Sequence, residues 1–217
     1  MPYRRTENVV RRLAEREETI LAAATLIATE GGMGAVQIAA VAARAGIAAG
    51  TVYRYFPSKT DLIAELVAAI ASRELSAMAA AGDAAPGPLS ALAACITTFA
   101  ARALNERRLA WAVMGEPVDA QVDAMRLDFR QSLAAELETR IRAAIEGGHL
   151  PDQDARAAAP AIVGALLEGL IGPLAPWPAD EARARAAVQG VTLLALRALG
   201  VVDARARGLV AQCVLPV

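Results

Sequence analysis

The segment from Gln37 to Leu62 has the sequence QIAAVAARAGIAAGTVYRYFPSKTDL, and its spacing of small residues decides the fold near the N-terminus. Two short helical patterns lie on either side of Gly46. Ala42 allows two helices to cross closely, Gly46 can adopt a positive φ in the turn, and Val52 anchors the second helix on the core. We therefore predict a helix-turn-helix. Its other core positions are Ile38, Val41, Ile47 and Phe56.

The composition of the 217-residue chain favours helices throughout. Hydrophobic residues make up 56% and aromatic residues only 4%, with Ala and Leu prominent. Both residue types lose little side-chain entropy in a helix. The expected fold is all-α, with an N-terminal three-helix unit, a larger helical body and about nine helices. The net charge is −1, but residues 1–60 carry +3 and the remainder −4, which indicates a basic N-terminal unit and an acidic body.

Hydrophobic periodicity and breakers give the approximate bounds of the nine helices. They are 11–30, 38–45, 48–55, 59–80, 89–105, 107–114, 118–146, 154–172 and 179–199. Ser58 is a favourable N-cap for the fourth helix, residues 81–88 form the best linker candidate, and 201–217 remain unassigned. Pro160 either kinks its helix or marks where that helix begins. We expect one domain over 1–60, which contains the helix-turn-helix, joined by the helix 59–80 to a second domain over 61–217.

Several classes of protein are disfavoured. The start of the chain has no apolar segment typical of a secretory signal. Residues 157–177 are apolar, but Pro160 and Glu168 interrupt them, so a buried helix is favoured over a membrane span. Cys95 and Cys213 lie in apolar surroundings without metal-ligand spacing and are expected to be structural thiols in a reducing compartment. We therefore expect a cytoplasmic protein that does not bind membranes.

An enzyme is the main alternative from another class. Catalysis needs a converging nucleophile, base or metal set. The chain has one histidine, His149, two widely separated cysteines and no Gly-rich phosphate loop. We therefore expect no catalytic residues, no metal and no cofactor. A helical protein-binding adaptor is a further alternative, and it leaves the polar and aromatic cluster from Thr51 to Lys59 unexplained.

The run from Gly50 to Leu62, GTVYRYFPSKTDL, closely resembles the signature of TetR-type (TetR/AcrR) bacterial transcriptional regulators. With residues 38–46 ahead of it, the resemblance covers about the first 70 residues. The run holds two of the three tyrosines and the only lysine of the chain. Beyond residue 70 only the architecture is similar, namely a helical body that binds an effector and dimerises. The resemblance implies double-stranded operator DNA, a second copy of the chain and an unknown small-molecule effector as partners.

The resemblance also implies which side chains approach the DNA, because the second short helix would enter the major groove N-terminus first. Arg54 would contact base edges, whereas Tyr55 and Lys59 would contact phosphates. For Tyr53 and Tyr55 the alternative is half-buried packing. The candidate DNA-binding residues are Gln37, Arg44, Ala49, Gly50, Thr51, Tyr53, Arg54, Tyr55 and Lys59. The basic arm, Arg4, Arg5, Arg11 and Arg12, either reaches a flanking backbone or minor groove or is a solvated terminus.

Three positions depart from the family pattern. Gln37 stands where relatives usually have a capping Thr, and Ala48 and Ala49 stand where Ser and Lys are common. These changes weaken a helix cap and remove a phosphate-binding charge. The operator affinity is therefore expected to be lower than usual, or to depend more on Arg44.

The last two predicted helices match the pair through which the family dimerises. Small residues permit close helix packing there, although the same residues would also serve an intramolecular core. The candidate interface residues are Ala161, Gly164, Ala165, Gly169, Gly172, Val188, Val191, Leu194, Ala195 and Ala198.

The large side chains of the body are candidates for an effector pocket, with ordinary core packing as the alternative for each. They are Phe99, Leu104, Trp111, Met114, Met125, Phe129, Leu166, Leu170 and Trp177. Glu168, a lone charge in an apolar run, is expected to pair with Arg102 or Arg126, or else to meet a cationic ligand. The resemblance implies a repressor that a small, largely apolar ligand releases from DNA. The alternatives are a ligand-independent regulator and the adaptor.

Overall fold

Helices account for the fold in the computed structural model, which describes residues 7–116 and 120–213. These residues contain ten α-helices and no strand, in agreement with the expected all-α fold of about nine helices. The helices are α1 (Glu7–Gly31), α2 (Ile38–Arg44), α3 (Ala49–Tyr55), α4 (Lys59–Asp83), α5 (Pro88–Asn105), α6 (Arg107–Met114), α7 (Ala120–Glu146), α8 (Ala155–Leu166), α9 (Glu181–Ala198) and α10 (Asp203–Gln212). A 3-10 turn, Met33–Ala35, follows α1, and a π-helical segment, Leu167–Ile171, continues α8.

The first three helices form the helix-turn-helix that the small-residue spacing predicts. Val41 and Val52 are fully buried and Ala42 is 3% exposed, so the two short helices meet on these side chains. Gly46 has a φ of 65°, in the left-handed region that favours glycine. The amide of Ile47 donates to the carbonyl of Ala42 at 3.0 Å and closes the turn. Arg4 and Arg5 of the basic arm lie outside the described residues.

The boundary between α4 and α5 differs from the expected linker. The Ser58 side chain accepts the Asp61 amide at 3.1 Å and begins α4 as predicted. The helix then continues through Gly82 to Asp83, and only residues 84–87 remain between the two helices. A Cβ added to Gly82 would lie 2.7 Å from Cys95 Sγ. This glycine therefore lets α4 and α5 approach each other closely, and the prediction that residues 81–83 belong to the linker is wrong.

The body is built around α5, which is buried along most of its length against α4, α7 and α9. Cys95 lies fully buried in the contact between α4 and α5, which we call the seam, and its thiol donates to the Met78 carbonyl at 3.3 Å. Burial is the main reason that the pKa of Cys95 rises to about 11. Cys213 is half-buried.

The C-terminal helices depart from the prediction in two places. Asp154 caps α8 through the amides of Arg156 and Ala157. Pro160 consequently lies inside α8 rather than at its start, and regular α-helix ends at Leu166, before the predicted residue 172. The unassigned tail contains α10, which buries only Ala206 and Val210. None of the helices, over the part of the chain that is described, has the length and apolarity needed to cross a membrane.

Candidate functional site

The helix α3 presents most of its residues to solvent. Val52 faces the core, whereas Ala49, Gly50, Tyr53 and Arg54 are exposed, with Tyr53 at 52%. Thr51 and Tyr55 are half-buried, and Tyr55 packs against the core. The exposed face therefore carries both a large aromatic side chain and a cation. For Tyr53 the packing alternative does not hold, whereas Tyr55 is partly a packing residue.

Gly50 occupies a position where the chain itself does not require glycine. Apart from its chain neighbours and the backbone of its own helix, no heavy atom of the described residues lies within 4 Å of the place that a Cβ would take. Glycine within a helix is destabilising by roughly 0.5–1 kcal/mol relative to alanine. Internal packing thus gives no reason for this residue, and a close approach by another molecule would give one.

The cations near α3 differ in how they are paired. Arg44 forms a two-pronged bond with Glu30, Nη1 to Oε1 at 2.9 Å and Nη2 to Oε2 at 2.6 Å. These hydrogen bonds raise the pKa of Arg44 and lower that of Glu30. Arg54 and Lys59 have no ion pair within 4 Å among the described residues. Arg44 must therefore exchange Glu30 for a phosphate if it contacts DNA.

Gln37 is at the N-cap of α2 and makes no capping bond with its side chain. Its Nε2 instead donates to the carbonyl of Gly34 at 2.9 Å, and the residue is exposed. The long side chain thus closes the preceding turn. Lys59 is the first residue of α4 and half-buried, immediately after the Ser58 cap.

A carboxylate from the body holds the turn that follows α1. Glu116 accepts the Met33 amide on Oε2 at 2.7 Å and pairs with Arg108 through Oε1 at 2.8 Å. Arg126 of α7 donates to the carbonyls of Ala112 and Glu116 and so fixes the end of α6. Sequence reasoning missed this link, because 83 residues separate Met33 from Glu116 and no local pattern connects them.

An apolar cavity of about 20 Å³ lies between α4, α5, α6 and α7. Three predicted pocket residues, Phe99, Met114 and Phe129, line it. This volume has room for little more than a water molecule. In this conformation the cavity is therefore almost filled by its own side chains.

A buried carboxylate forms the polar wall of this apolar cavity. Glu74 is 8% exposed and accepts Arg102 Nε at 2.6 Å, Arg102 Nη2 at 3.0 Å and Arg73 Nε at 2.8 Å. Burial opposes the charged form, but the hydrogen bonds from both arginines outweigh it and lower the pKa of Glu74. The expected pairing of Glu168 with Arg102 or Arg126 is wrong, because Arg102 binds Glu74 and Arg126 binds backbone carbonyls.

The other pocket candidates are divided among separate cavities. Leu104 and Trp177 line a groove of about 500 Å³ between α5 and α9. Met125 and Phe129 line one of about 340 Å³ between α4 and α7. Leu166 and Leu170 are each 2% exposed and line none of these cavities, which supports the core alternative for both.

A polar cavity of about 340 Å³ lies between the end of α6, the start of α7 and the π-helical segment. Trp111 and Met114 line it, together with the charged residues Glu116, Asp123, Arg126, Arg130 and Glu168. Met114 also lines the apolar cavity. The two cavities therefore share one flexible side chain as a wall.

The loop after the π-helical segment is held by a second buried arginine. Arg107 is 4% exposed and donates to the carbonyls of Gly172 at 3.0 Å, Ala175 at 2.7 Å and Pro176 at 2.9 Å. Its guanidinium carbon lies 4.3 Å from the centre of the Trp177 ring. Burial lowers the pKa of Arg107. Trp177 is nevertheless 69% exposed and forms an apolar surface on this loop.

The candidate interface residues fall into two groups. Val188, Val191 and Ala195 of α9 are at most 8% exposed and pack within the subunit, as does Gly172. These four serve the intramolecular core. The exposed candidates are Ala161, Gly164, Gly169, Leu194 and Ala198, and Ala165 is half-buried.

Residues 20–66 match the family model described as bacterial regulatory proteins, tetR family. The matched segment contains the helix-turn-helix and the start of α4. This part of the chain is therefore similar to the DNA-binding segment of that family. The chain is also 49% identical over 73 residues to the HTH-type transcriptional repressor KstR of Rhodococcus jostii strain RHA1, covering 34% of this chain and 32% of that protein. The match is to regulators rather than to an enzyme.

Solved structures are similar over most of the chain. FadR from Bacillus subtilis, determined in complex with stearoyl-CoA, has a TM-score of 0.72 at 20% identity and covers 85% of this chain and 98% of its own. RolR in complex with resorcinol has a TM-score of 0.64 at 19% identity, covering 96% and 98%. At this identity the likeness concerns the fold. The chain aligns with only 24% to 32% of the length of the curated KstR relatives.

Proposed function

We propose that this chain is a dimeric, cytoplasmic transcriptional repressor that binds operator DNA and is released from it by a small, largely apolar effector. The observation that carries the proposal is the match of residues 20–66 to the tetR family model. The exposed face of α3, with Tyr53 and Arg54 outward, gives this segment a surface suited to a major groove. In this proposal residues 1–60 bind DNA, and residues 61–217 dimerise and bind the effector.

The candidate DNA contacts divide by the reach of each side chain. Arg54 and Tyr53 extend from the exposed face of α3 toward base edges and sugars. Lys59, at the N-terminus of α4, and Tyr55 are suited to phosphates, which fix the register of a protein on DNA without specifying sequence. Gly50 allows the backbone of α3 to approach the groove closely. Arg44 adds a phosphate contact at the cost of its bond to Glu30.

Release from the operator is a shift between two conformers of the dimer. An effector that binds better to the conformer with wrongly spaced α3 helices lowers the operator affinity, by an amount set by its differential affinity for the two. The helix α4 links the DNA-binding unit to the body. The bond between Glu116 and the Met33 amide is a second connection.

A ligand-independent regulator is the second candidate, and the small volume of the apolar cavity favours it. A cavity of about 20 Å³ is far below the roughly 300 Å³ at which ligand pockets begin. The effector hypothesis therefore requires that side chains such as Met114 move on binding. Methionine is well suited to this because it is unbranched and flexible.

The test of the proposed function is a gel-shift titration with the DNA upstream of the gene that encodes this chain. We expect a salt-dependent complex, because phosphate contacts release counterions. Tyr53→Ala and Lys59→Ala should each abolish the shift while the helical content stays unchanged, since neither side chain is in the core. Arg142→Gln, an exposed arginine of α7 paired with Glu138, is the control and should bind like the parent. Unchanged operator binding in both Tyr53→Ala and Lys59→Ala would refute the assignment of this segment as the DNA-binding unit.

The same complex then separates the two candidate functions. Addition of stearoyl-CoA or resorcinol, the ligands named for the two structural neighbours, gives a first release screen, to be followed by a panel of apolar compounds. Release at saturating compound supports the repressor with an effector. A complex that persists through the panel supports the ligand-independent regulator.

A further inference from the structure

The polar cavity contains a buried guanidinium with unused binding capacity. Arg126 is only 2% exposed, and its Nη atoms donate to the carbonyls of Ala112 and Glu116. Its Nε is buried and has no hydrogen-bond partner among the described residues. Burial of an ion costs several kcal/mol unless charge and hydrogen bonds compensate, and carbonyl dipoles supply only part of that compensation. Burial is accordingly the first cause that lowers the pKa of Arg126.

A second cation lies one helical turn further along the same wall. Arg130 lines the cavity four residues after Arg126, and its Nε is also buried with no partner in the part of the chain that the structure describes. Side chains four residues apart on a helix are neighbours, and like charges at this spacing repel. The charge of Arg130 contributes to the lowered pKa of Arg126. The wall thus holds two adjacent cations that an anion between them would stabilise.

The carboxylates of the same wall offset part of the charge of Arg126, through Asp123 and Glu116, but bind neither Nε. Glu116 is already bound to Arg108 and the Met33 amide. Asp123 approaches Arg126 at 3.4 Å, but its side chain is 59% exposed. Glu168 is exposed and has no ion pair within 4 Å in the described residues. The cavity therefore combines two unsatisfied buried donors with about 340 Å³ of space, within the range of ligand sites.

The cavity also opens toward apolar surroundings. Trp111, Met114 and Leu167 line it beside the charged residues. Met114 is the wall shared with the apolar cavity of Phe99, Val113 and Phe129.

We propose that the polar cavity is the seat for an amphiphilic ligand, with its anionic group held between Arg126 and Arg130 and its apolar part lying against Trp111, Met114 and Leu167. The proposal rests on the proposed function only in identifying this ligand with the effector. The chemistry required is a carboxylate or phosphate joined to an apolar chain. Such an anion satisfies both Nε donors and removes the repulsion between the two cations.

The experiment uses the tryptophan of the cavity as its reporter. The chain has two tryptophans, so Trp177→Phe leaves Trp111 alone to report binding by its emission. The probes are dodecanoate, dodecyl phosphate and 1-dodecanol, titrated into the full chain. We expect saturable binding of at least one anionic probe, at least tenfold tighter than that of the neutral alcohol. The tighter of the two anions then identifies the head group.

Arg130→Gln is the decisive variant. Arg130 is only half-buried, so glutamine should be tolerated there. Arg126 is left unchanged because it also fixes the end of α6. We expect about a tenfold loss of affinity for the anionic probe and an unchanged affinity for 1-dodecanol. Arg142→Gln, on the same helix, is the matched control and should change neither. Equal affinity for acid and alcohol, or an Arg130→Gln variant that binds the anion like the parent, overturns the proposal.

Operator binding is measured separately. If the parent chain does not bind the operator, the proposed function is refuted, but the probe titration still tests this inference. If the parent chain binds the operator but does not prefer the anionic probes, only this inference is refuted.

Discussion

At the residue scale, the two glycines of the helix-turn-helix have different physical requirements. Gly46 has a φ of 65°, which an L-residue adopts at a cost of roughly 1–2 kcal/mol. Gly50 lies inside α3 with open space around its Cβ position, so alanine fits there without strain. Only the first glycine is required by the fold.

This difference predicts opposite effects of alanine at the two positions. Gly50→Ala should raise the free energy of unfolding by about 0.5–1 kcal/mol, because alanine loses less backbone entropy in a helix. It should also weaken operator binding about tenfold, because the methyl group separates α3 from the groove. Gly46→Ala should lower the stability by about 1 kcal/mol. Urea unfolding and gel-shift titration measure the two effects, and a Gly50→Ala variant with parental operator affinity contradicts the role of Gly50.

Sequence reasoning succeeds for residues whose role is local and fails for those whose partners are distant. Ala42, Gly46 and Val52 lie within eleven positions of one another, and their predicted packing is observed. Glu168 was expected to pair with an arginine of the same body, but Arg102 had a nearer carboxylate in Glu74, which is 28 positions away. The choice among many possible ion pairs is made by the tertiary fold.

At the scale of elements, the contact between the end of α6 and the turn after α1 depends on one carboxylate. Glu116→Ala removes the acceptor of the Met33 amide and the partner of Arg108. A hydrogen bond to a charged group contributes about 1.5–3 kcal/mol. We expect hydrogen exchange at the Met33 amide to accelerate by roughly 10- to 100-fold, measured by NMR. Glu116→Gln keeps an acceptor and should exchange more slowly than Glu116→Ala; equal protection in all three proteins would show that this bond contributes nothing.

The pair of Glu74 with Arg102 should make the contact between α4 and α5 sensitive to acid. The pKa of Glu74 is lower in the folded chain than its ordinary value of 4.5. Its contribution to stability is therefore present above pH 4.5 and is lost as the pH falls through the lower, folded value. Glu74→Gln should cost about 2 kcal/mol at pH 7, between the typical values for exposed and buried pairs. The difference from the parent should shrink below pH 4.5 in urea unfolding, and a difference that is constant from pH 7 to pH 3 contradicts this origin.

Helix existence was predictable where an apolar stripe repeats, and less so elsewhere. Nine predicted segments correspond to α1 through α9, since each buries a face. The helix α10 has the sequence DARARGLVAQ and buries only two side chains, so its periodicity is too weak to detect. The continuation of α4 through Gly82 was also missed, because the packing of that glycine against Cys95 involves a separate helix.

At the scale of the whole molecule, the exposed residues of α8 and α9 define the surface that a second copy would cover. Leu194 of α9 is 57% exposed, and the small residues Ala161 and Gly164 of α8 are exposed as well. In the proposed dimer, Leu194→Arg should give a monomer by light scattering, because it places a charge in an apolar interface. Operator affinity should then fall by at least a hundredfold, since one recognition helix binds only one half-site.

The control for this prediction is Leu127→Arg, a leucine of α7 with a similar exposure of 51%. It should leave both the mass and the operator affinity unchanged. A Leu194→Arg variant that stays dimeric would show that the interface does not include this part of α9.

The division of the candidate interface into buried and exposed residues was not predictable from the sequence. Val188 and Leu194 are both apolar residues of one helix, and only the contact of α9 with α5 distinguishes them.

The fully buried Cys95 makes the seam between α4 and α5 experimentally observable. Its thiol is both inaccessible and protonated at neutral pH, given a pKa of about 11. A thiol-specific label therefore reaches it only when the two helices separate, whereas the half-buried Cys213 would react sooner. In a Cys213→Ser background, the labelling rate thus counts spontaneous openings of the seam. Because Glu74 and Arg102 join the same two helices, that rate would register any ligand that tightens or loosens the body, before its chemical identity is known.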